Sequence, residues 1–139
     1  MITILLIFIA LMWIWSYVKF RRKMKYFTMM AAYLQSVVSS NPSPYNRLRF
    51  SSALIETQQY KEAYNIYTQL LNEGTNIPNK EQILLNIEFC KNPVPGVSSP
   101  KNFNFSWWHN FVLVRLGKRR YNFLTEEDYL KTNSILRNI

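Results

Sequence analysis

The feature that most constrains this chain is an uninterrupted apolar run at its N-terminus. Residues 2–18 (ITILLIFIALMWIWSYV) contain no charge, proline or glycine. As a helix rising about 1.5 Å per residue, they extend roughly 25 Å, close to the hydrocarbon thickness of a bilayer, about 30 Å. We therefore predict a transmembrane anchor at 1–18. It leaves about 120 of the 139 residues, room for one small soluble domain.

The residues that follow the apolar run are those expected at a membrane surface. Trp13, Trp15 and Tyr17 cluster at its end as an interfacial aromatic belt would. Five basic residues come next: Lys19, Arg21, Arg22, Lys23 and Lys25. A cleavable secretory signal has its charge before the apolar run, and a buried helix of a soluble domain would not explain a charge-free stretch at the N-terminus. We expect these eight residues to contact the membrane interface, with anionic headgroups near the basic ones.

The charge asymmetry also predicts an orientation. Residues 1–40 carry five basic side chains and no acid, all of them after the apolar run. By the positive-inside tendency, the N-terminus is translocated and residues 19–139 lie on the cytoplasmic, or stromal or matrix-equivalent, side. Because no proline or glycine precedes Pro42, the anchor helix should continue through a basic juxtamembrane stalk at 19–40.

Residues 45–91 carry the most specific pattern. The stretch 46–73 predicts two amphipathic helices, separated by a polar break at Thr57-Gln58-Gln59 and closed by Gly74 as a C-cap. The residues expected to face inward are Leu48, Ala53, Leu54 and Ile55 in the first helix, and Tyr60, Ala63, Ile66, Tyr67, Leu70 and Leu71 in the second.

This hairpin resembles a tetratricopeptide repeat. Tyr60, Ala63, Tyr67 and Leu70 have the spacing at which that family packs its second helix on its first. One period later, Lys80–Lys91 resembles the first helix of another repeat. The resemblance implies a small protein-binding helical module. Arrays of this type usually need about three repeats, so other segments should cover its open ends. A generic αα-hairpin without repeat ancestry is the alternative.

The C-terminal part divides into an extended connector at 92–106 and an aromatic, basic segment at 107–139 that ends in a helix capped by Thr125. Within 103–123, seven of 21 residues are aromatic, and the charges of 93–123 are five basic residues and no acid. This composition is compatible with a packed core face, with a membrane-surface element, or with a docking element on a larger membrane assembly. The candidate docking residues are Phe103, Phe105, Trp107, Trp108, Phe111, Arg115, Lys118, Arg119 and Arg120.

The sequence contains few candidate residues for catalysis or cofactor binding. One histidine, His109, and one cysteine, Cys90, cannot form a protein-only histidine cluster or a cysteine-rich metal site. The three glycines fall in no phosphate-loop spacing. Nucleic-acid binding is disfavoured because residues 41–92 balance five bases against five acids. We therefore predict no catalytic residue, no metal, no cofactor and no nucleic-acid partner.

Together these patterns predict an all-α chain: a transmembrane helix, a tetratricopeptide-like helical module, and an irregular aromatic-rich C-terminal segment with a terminal helix. The predicted function is that of a non-enzymatic accessory or scaffold subunit that docks on a larger membrane protein complex. The alternatives are a membrane-anchored receptor or assembly adaptor that captures client peptides, and a lipid-surface-binding protein.

Overall fold

The computed structural model describes residues 1–74, 80–91 and 121–138. Helices make up 86% of these residues, and no strand occurs among them. The helices are α1 (Ile2–Ser40), α2 (Pro44–Glu56), α3 (Tyr60–Asn72), α4 (Lys80–Lys91) and α5 (Glu126–Arg137). The predicted all-α class is confirmed for the part of the chain that the structure describes.

The ends of the helices follow from local sequence. The anchor helix, predicted to continue through the stalk, runs to Ser40 and ends where Asn41 turns extended ahead of Pro42. Ser43 caps α2, since its hydroxyl accepts the Asn46 N–H, and Pro44 takes the first position, where no donor is needed. Gly74 lies just after α3 with φ +64°, a left-handed conformation that glycine adopts without strain.

Three residues reverse the chain between α2 and α3. Thr57 ends α2, and Gln58 has φ +61°, a left-handed conformation unusual for a residue with a side chain. The predicted break at Thr57-Gln58-Gln59 is therefore a tight turn. Its backbone is held by hydrogen bonds from the Gln58 and Gln59 N–H groups to the carbonyls of α2.

Helices α2, α3 and α4 form an antiparallel three-helix stack. Arg47 near the start of α2 pairs with Glu73 after the end of α3. The ring of Tyr60 at the start of α3 lies 5.6 Å from that of Phe89 near the end of α4. The end of α4 and the α2–α3 turn therefore lie at the same end of the stack.

The predicted inward faces form the core of this stack. Nine of the ten hairpin residues expected to face inward belong to, or pack against, one apolar cluster that α4 completes with Ile83, Ile87, Phe89 and Cys90. The tenth, Ala53, packs instead against the stalk. Tyr67 and Leu70 are fully buried, while Ile66 and Leu71 are partly exposed at the edge.

The second half of α1 covers the open side of α2. Phe27, Met30, Ala31 and Leu34 pack with Ala53 in a second apolar cluster. Their spacing of three and four residues places them on one face of the helix. The stalk therefore packs along one side of the stack. It covers one of the two open ends expected from an incomplete repeat. The other open end is the outer side of α4, where Leu84 and Leu85 are exposed.

The chain returns to this assembly at Tyr121. Residues 121–125 are non-helical, and α5 then begins with a capping box in which Thr125 and Asp128 satisfy each other's backbone N–H groups. Helix α5 packs on α1: the Tyr26 and Tyr129 rings are stacked 6.3 Å apart, and the Tyr26 hydroxyl donates to the Tyr129 carbonyl. The predicted cap at Thr125 is confirmed.

Candidate membrane interface and docking site

The first half of α1 is largely exposed. Its apolar side chains from Ile2 to Val18 are largely exposed, and none of the most apolar 18-residue stretch is buried. A helix in the core of a soluble protein would instead be mostly buried. By length and composition, α1 is one helix able to cross a membrane.

The aromatic belt and the first cations lie where this exposed half ends. Trp13 and Trp15 are exposed, and the Lys19 ammonium lies 4.6 Å from the centroid of the Trp15 ring. Tyr17 is half-buried, with its ring 6.4 Å from that of Phe20. The belt therefore merges directly into the packed part of α1.

The remaining basic residues differ in their surroundings. Lys23 has its ammonium 6.0 Å from the centroid of the Phe27 ring. Lys23 is exposed, as are Lys19, Arg21, Arg22 and Lys25. All eight residues predicted for the membrane interface thus lie on one unbroken helix within a span of thirteen positions, from Trp13 to Lys25.

The anchor and the folded part share this helix without a linker. Phe20, only two residues after Val18, is 3% exposed, and Met24 is fully buried. Burial then continues to Leu34 along the same face. Because the helix is continuous and packed, the direction of the apolar half fixes the orientation of the whole helical assembly.

We call one end of the stack the anchor-side end. It consists of the α2–α3 turn and the last residues of α4, Phe89 to Lys91, which lie together because the helices are antiparallel. Ala53 packs beside the middle of the stalk, so the α2–α3 turn, one helical turn later, is level with about Met24. At about 1.5 Å per residue, this level lies roughly 9 Å beyond Val18. The chain leaves α4 at Lys91 and therefore starts the 92–120 segment from the anchor-side end.

Asn86 fixes the point where the chain returns. Its side-chain oxygen accepts the Tyr121 N–H at 2.7 Å, and its amide nitrogen donates to the Tyr121 carbonyl and to the Tyr67 hydroxyl, both at 2.9 Å. The Phe123 N–H donates to the Ser52 hydroxyl at 2.9 Å. Residues 92–120 therefore leave and rejoin the structure at the same helix, α4, because Asn86 precedes Lys91 by five positions.

A buried ion pair holds α5 in place. The Arg49 guanidinium donates two hydrogen bonds to the Asp128 carboxylate and a third to the Asn46 side chain. Burial opposes ionisation of Asp128, but the bonds from Arg49 and the Thr125 N–H outweigh it and lower the pKa of this carboxyl. The pairing of Arg49 with Asp128 was not predicted from the sequence.

The role of Asn86 was also not predicted from the sequence. The available signal was a polar side chain on the inner face of α4, between the buried Ile83 and Ile87. Such a side chain requires hydrogen-bond partners, and here they are a backbone segment 35 residues away. Neither Asn86 nor Arg49 could be paired from sequence alone, because both partners lie beyond the 92–120 segment.

The predicted docking residues lie outside the described part of the chain. They are Phe103, Phe105, Trp107, Trp108, Phe111, Arg115, Lys118, Arg119 and Arg120. The connector at 92–106 and His109 lie there as well.

Within the described ranges, no group of three potential metal ligands is present. Cys90 is buried, and burial raises the pKa of its thiol to about 12, so the thiol stays protonated at neutral pH. Tyr67 is also buried, and its pKa is raised to about 12, chiefly by burial. These two groups serve packing and hydrogen bonding in the core.

Comparison with known proteins found no matching family model, no similar curated protein and no similar solved structure.

Proposed function

We propose that this protein is a non-enzymatic, single-pass membrane accessory subunit that docks on a larger membrane protein complex. In this proposal α1 crosses the bilayer, the three-helix stack stands on the membrane surface, and the stack and the 92–120 segment contact the partner. In this proposal the stack lies on the cytoplasmic, or stromal or matrix-equivalent, side and the N-terminus lies across the membrane; the basic residues after Val18 favour this orientation.

The observation that carries the proposal is the continuity of α1. One helix of 39 residues supplies an exposed apolar half and a half buried against the stack. An anchor on a flexible linker would let a soluble domain sample many orientations. A continuous packed helix instead presents one face of the stack to neighbours in the membrane. This suits a subunit with a fixed place in an assembly.

The position of the 92–120 segment supports the same role. Its two attachment points are Lys91 at the anchor-side end and Tyr121, held by Asn86. In this proposal, the aromatic and basic residues of the segment contact a partner embedded in the same bilayer. Confinement to the membrane raises the effective concentration of the two proteins, so modest contacts suffice for binding.

The receptor alternative would use the resemblance to tetratricopeptide repeats, with a client peptide bound to the helical stack. Residues 121–123 of the chain itself contact all three helices of the stack. They are hydrogen-bonded to Ser52 of α2 and to Asn86 of α4, and the Phe123 ring contacts that of Tyr67 of α3. A client would have to displace that segment or bind elsewhere. This observation favours the subunit over the receptor.

Purification of the full chain from its native membrane in mild detergent tests the proposal. We expect one stoichiometric set of membrane proteins by native gel and mass spectrometry, retained through gel filtration. The variant Trp107→Ala/Trp108→Ala should reduce this recovery while the far-ultraviolet helix signal is kept. Recovery of the protein alone, or with many substoichiometric clients, would contradict the subunit assignment; liposome binding by the 19–139 fragment would then favour a lipid-surface role.

A further inference from the structure

The basic residues of the stalk fall into two groups according to their surroundings. Lys19 lies over the ring of Trp15, and Lys23 lies near that of Phe27. All five side chains are exposed, and no carboxylate in the described ranges forms an ion pair with Arg21, Arg22 or Lys25. Residues 1–40 contain no acid at all. The positive charge of these three residues is therefore not neutralised by their own helix.

Arg21, Arg22 and Lys25 also lie away from the buried face of α1. The buried face of α1 is marked by Phe20, Met24, Phe27, Met30, Ala31 and Leu34. At about 100° per residue, Arg21, Arg22 and Lys25 lie more than roughly 110° from the middle of that face. Lys19 and Lys23 lie within roughly 90° of it. The stack therefore leaves the three cations open on the opposite side of the helix.

Their height matches the headgroup layer. Arg21 and Arg22 follow Val18 by three and four residues, and Lys25 by seven. These offsets correspond to roughly 4.5 to 10.5 Å along the helix, and the headgroup region of one leaflet is about 5 to 8 Å thick. Arg21 and Arg22 are thus at the level of the headgroups. Lys25 lies just beyond them, and long basic side chains near a helix end reach toward this layer.

We infer that Arg21, Arg22 and Lys25 form a binding site for the phosphate group of an anionic lipid, on the face of α1 opposite the stack. This inference rests on the proposed crossing of the bilayer by α1. A guanidinium binds phosphate through two parallel hydrogen bonds, and Lys25 adds a third positive charge. Three cations with no neighbouring acid select a lipid of net negative charge over a zwitterionic one, because the zwitterionic headgroup carries its own ammonium.

Lipid selectivity in the first shell around the full chain tests the site. The protein is reconstituted in phosphatidylcholine vesicles with a trace of spin-labelled phosphatidylglycerol or spin-labelled phosphatidylcholine, and the immobilised fraction of each label is measured. We expect phosphatidylglycerol to be preferred several-fold at low salt, and the preference to fall as salt rises. The variant Arg21→Gln/Arg22→Gln/Lys25→Gln should remove most of this preference.

The matched control is Lys19→Gln/Lys23→Gln, which removes the two cations already placed beside rings and should keep most of the preference. Equal immobilisation of both labels by the unmodified chain, or an equal loss in the control variant, would overturn the site. Inorganic phosphate added at constant ionic strength should leave the preference unchanged; if it abolished the preference, the site would bind free phosphate and the lipid assignment would be wrong. Absence of any immobilised lipid would overturn the bilayer crossing as well, so the two failures are distinguishable.

Discussion

Arg49 of α2 and Asp128 of α5 form a buried ion pair across 79 positions of sequence. The Asp128 side chain is fully buried, and that of Arg49 is 9% exposed. Asn46 satisfies a further donor of the guanidinium. The Asp128 carboxylate thus joins the C-terminal helix to α2, in addition to the contacts of that helix with α1.

Removing one partner of this pair should destabilise the fold strongly. We expect Arg49→Ala or Asp128→Asn to lower the free energy of unfolding by about 3 to 5 kcal/mol, because each leaves a buried polar or charged group without its partner. Denaturant unfolding of the detergent-solubilised full chain, followed by circular dichroism, measures the loss. The more exposed pair of Arg47 and Glu73, with side chains 15% and 37% exposed, supplies the control, since Arg47→Ala should cost less. Equal losses in the two variants would contradict the role given to the buried pair.

The same carboxylate predicts acid sensitivity. The pKa of Asp128 is lowered in the folded protein, so its ionised form stabilises the fold above its unfolded pKa, about 3.9. This stabilisation is lost as the pH falls below about 4 and passes through the lower folded value. Unfolding curves recorded between pH 7 and pH 2 should show a decline that is shallower in Asp128→Asn. An identical decline in that variant would assign the acid sensitivity to other groups.

Asn86 should control how firmly the chain is held at Tyr121. We expect Asn86→Ala to cost about 1 to 3 kcal/mol, since the buried Tyr67 hydroxyl loses one of its partners and the Tyr121 backbone loses two part-buried hydrogen bonds. Hydrogen exchange of the Tyr121 amide should accelerate more than that of amides in the middle of α3. Asn65→Ala, on the exposed face of α3, is the matched control and should change neither quantity. Unchanged exchange at Tyr121 in Asn86→Ala would show that other contacts hold this segment.

Substitution of Gln58 should stabilise the fold, unlike the substitutions described above. Its backbone is left-handed, and its buried side-chain amide makes no hydrogen bond within the described part of the structure. Glycine relieves the backbone conformation and removes the unpaired amide, so Gln58→Gly should stabilise the fold by about 1 kcal/mol. Gln59→Gly, at an ordinary φ of −89°, should destabilise it instead. A loss of stability in both variants would indicate that the Gln58 side chain contributes packing that outweighs these costs.

The helices were predictable because their signals are local. A charge-free run, a proline-containing link, a polar break and a threonine cap lie within a few residues of the ends they determine, as at Ser40, Glu56 and Glu126. The pairings of Asn86 with Tyr121 and of Arg49 with Asp128 join positions 35 and 79 residues apart. No local pattern specifies such contacts, because they depend on how separate helices pack.

The surface that buries the stalk was also not predictable from the sequence. Its helical periodicity was evident from Phe27, Met30 and Leu34, but periodicity alone does not identify the surface that buries them. In the structure this surface includes Ala53 of α2, a small residue that lets two helices approach closely. The division of the basic residues into two groups follows from this contact, and so it also required the structure.

Cys90 should be unreactive in the folded protein. Because burial raises its pKa to about 12, little thiolate forms at pH 8 and reagents have little access to it. Mass spectrometry after incubation with a maleimide should show an unmodified chain under native conditions and one adduct after denaturation. Rapid native labelling would contradict the burial of this thiol.

Because the native cysteine is expected to be unreactive, cysteine variants can test directly whether α1 crosses the membrane. The variants Thr3→Cys and Ser39→Cys each place one reactive thiol on an exposed position near an end of this helix. In sealed vesicles from the native membrane, a membrane-impermeant maleimide added outside should label only one of the two thiols, and vesicles of opposite sidedness should label only the other. We expect Ser39→Cys to be labelled from the cytoplasmic-equivalent side and Thr3→Cys from the other. Labelling of both thiols from the same side would show that α1 does not cross the bilayer.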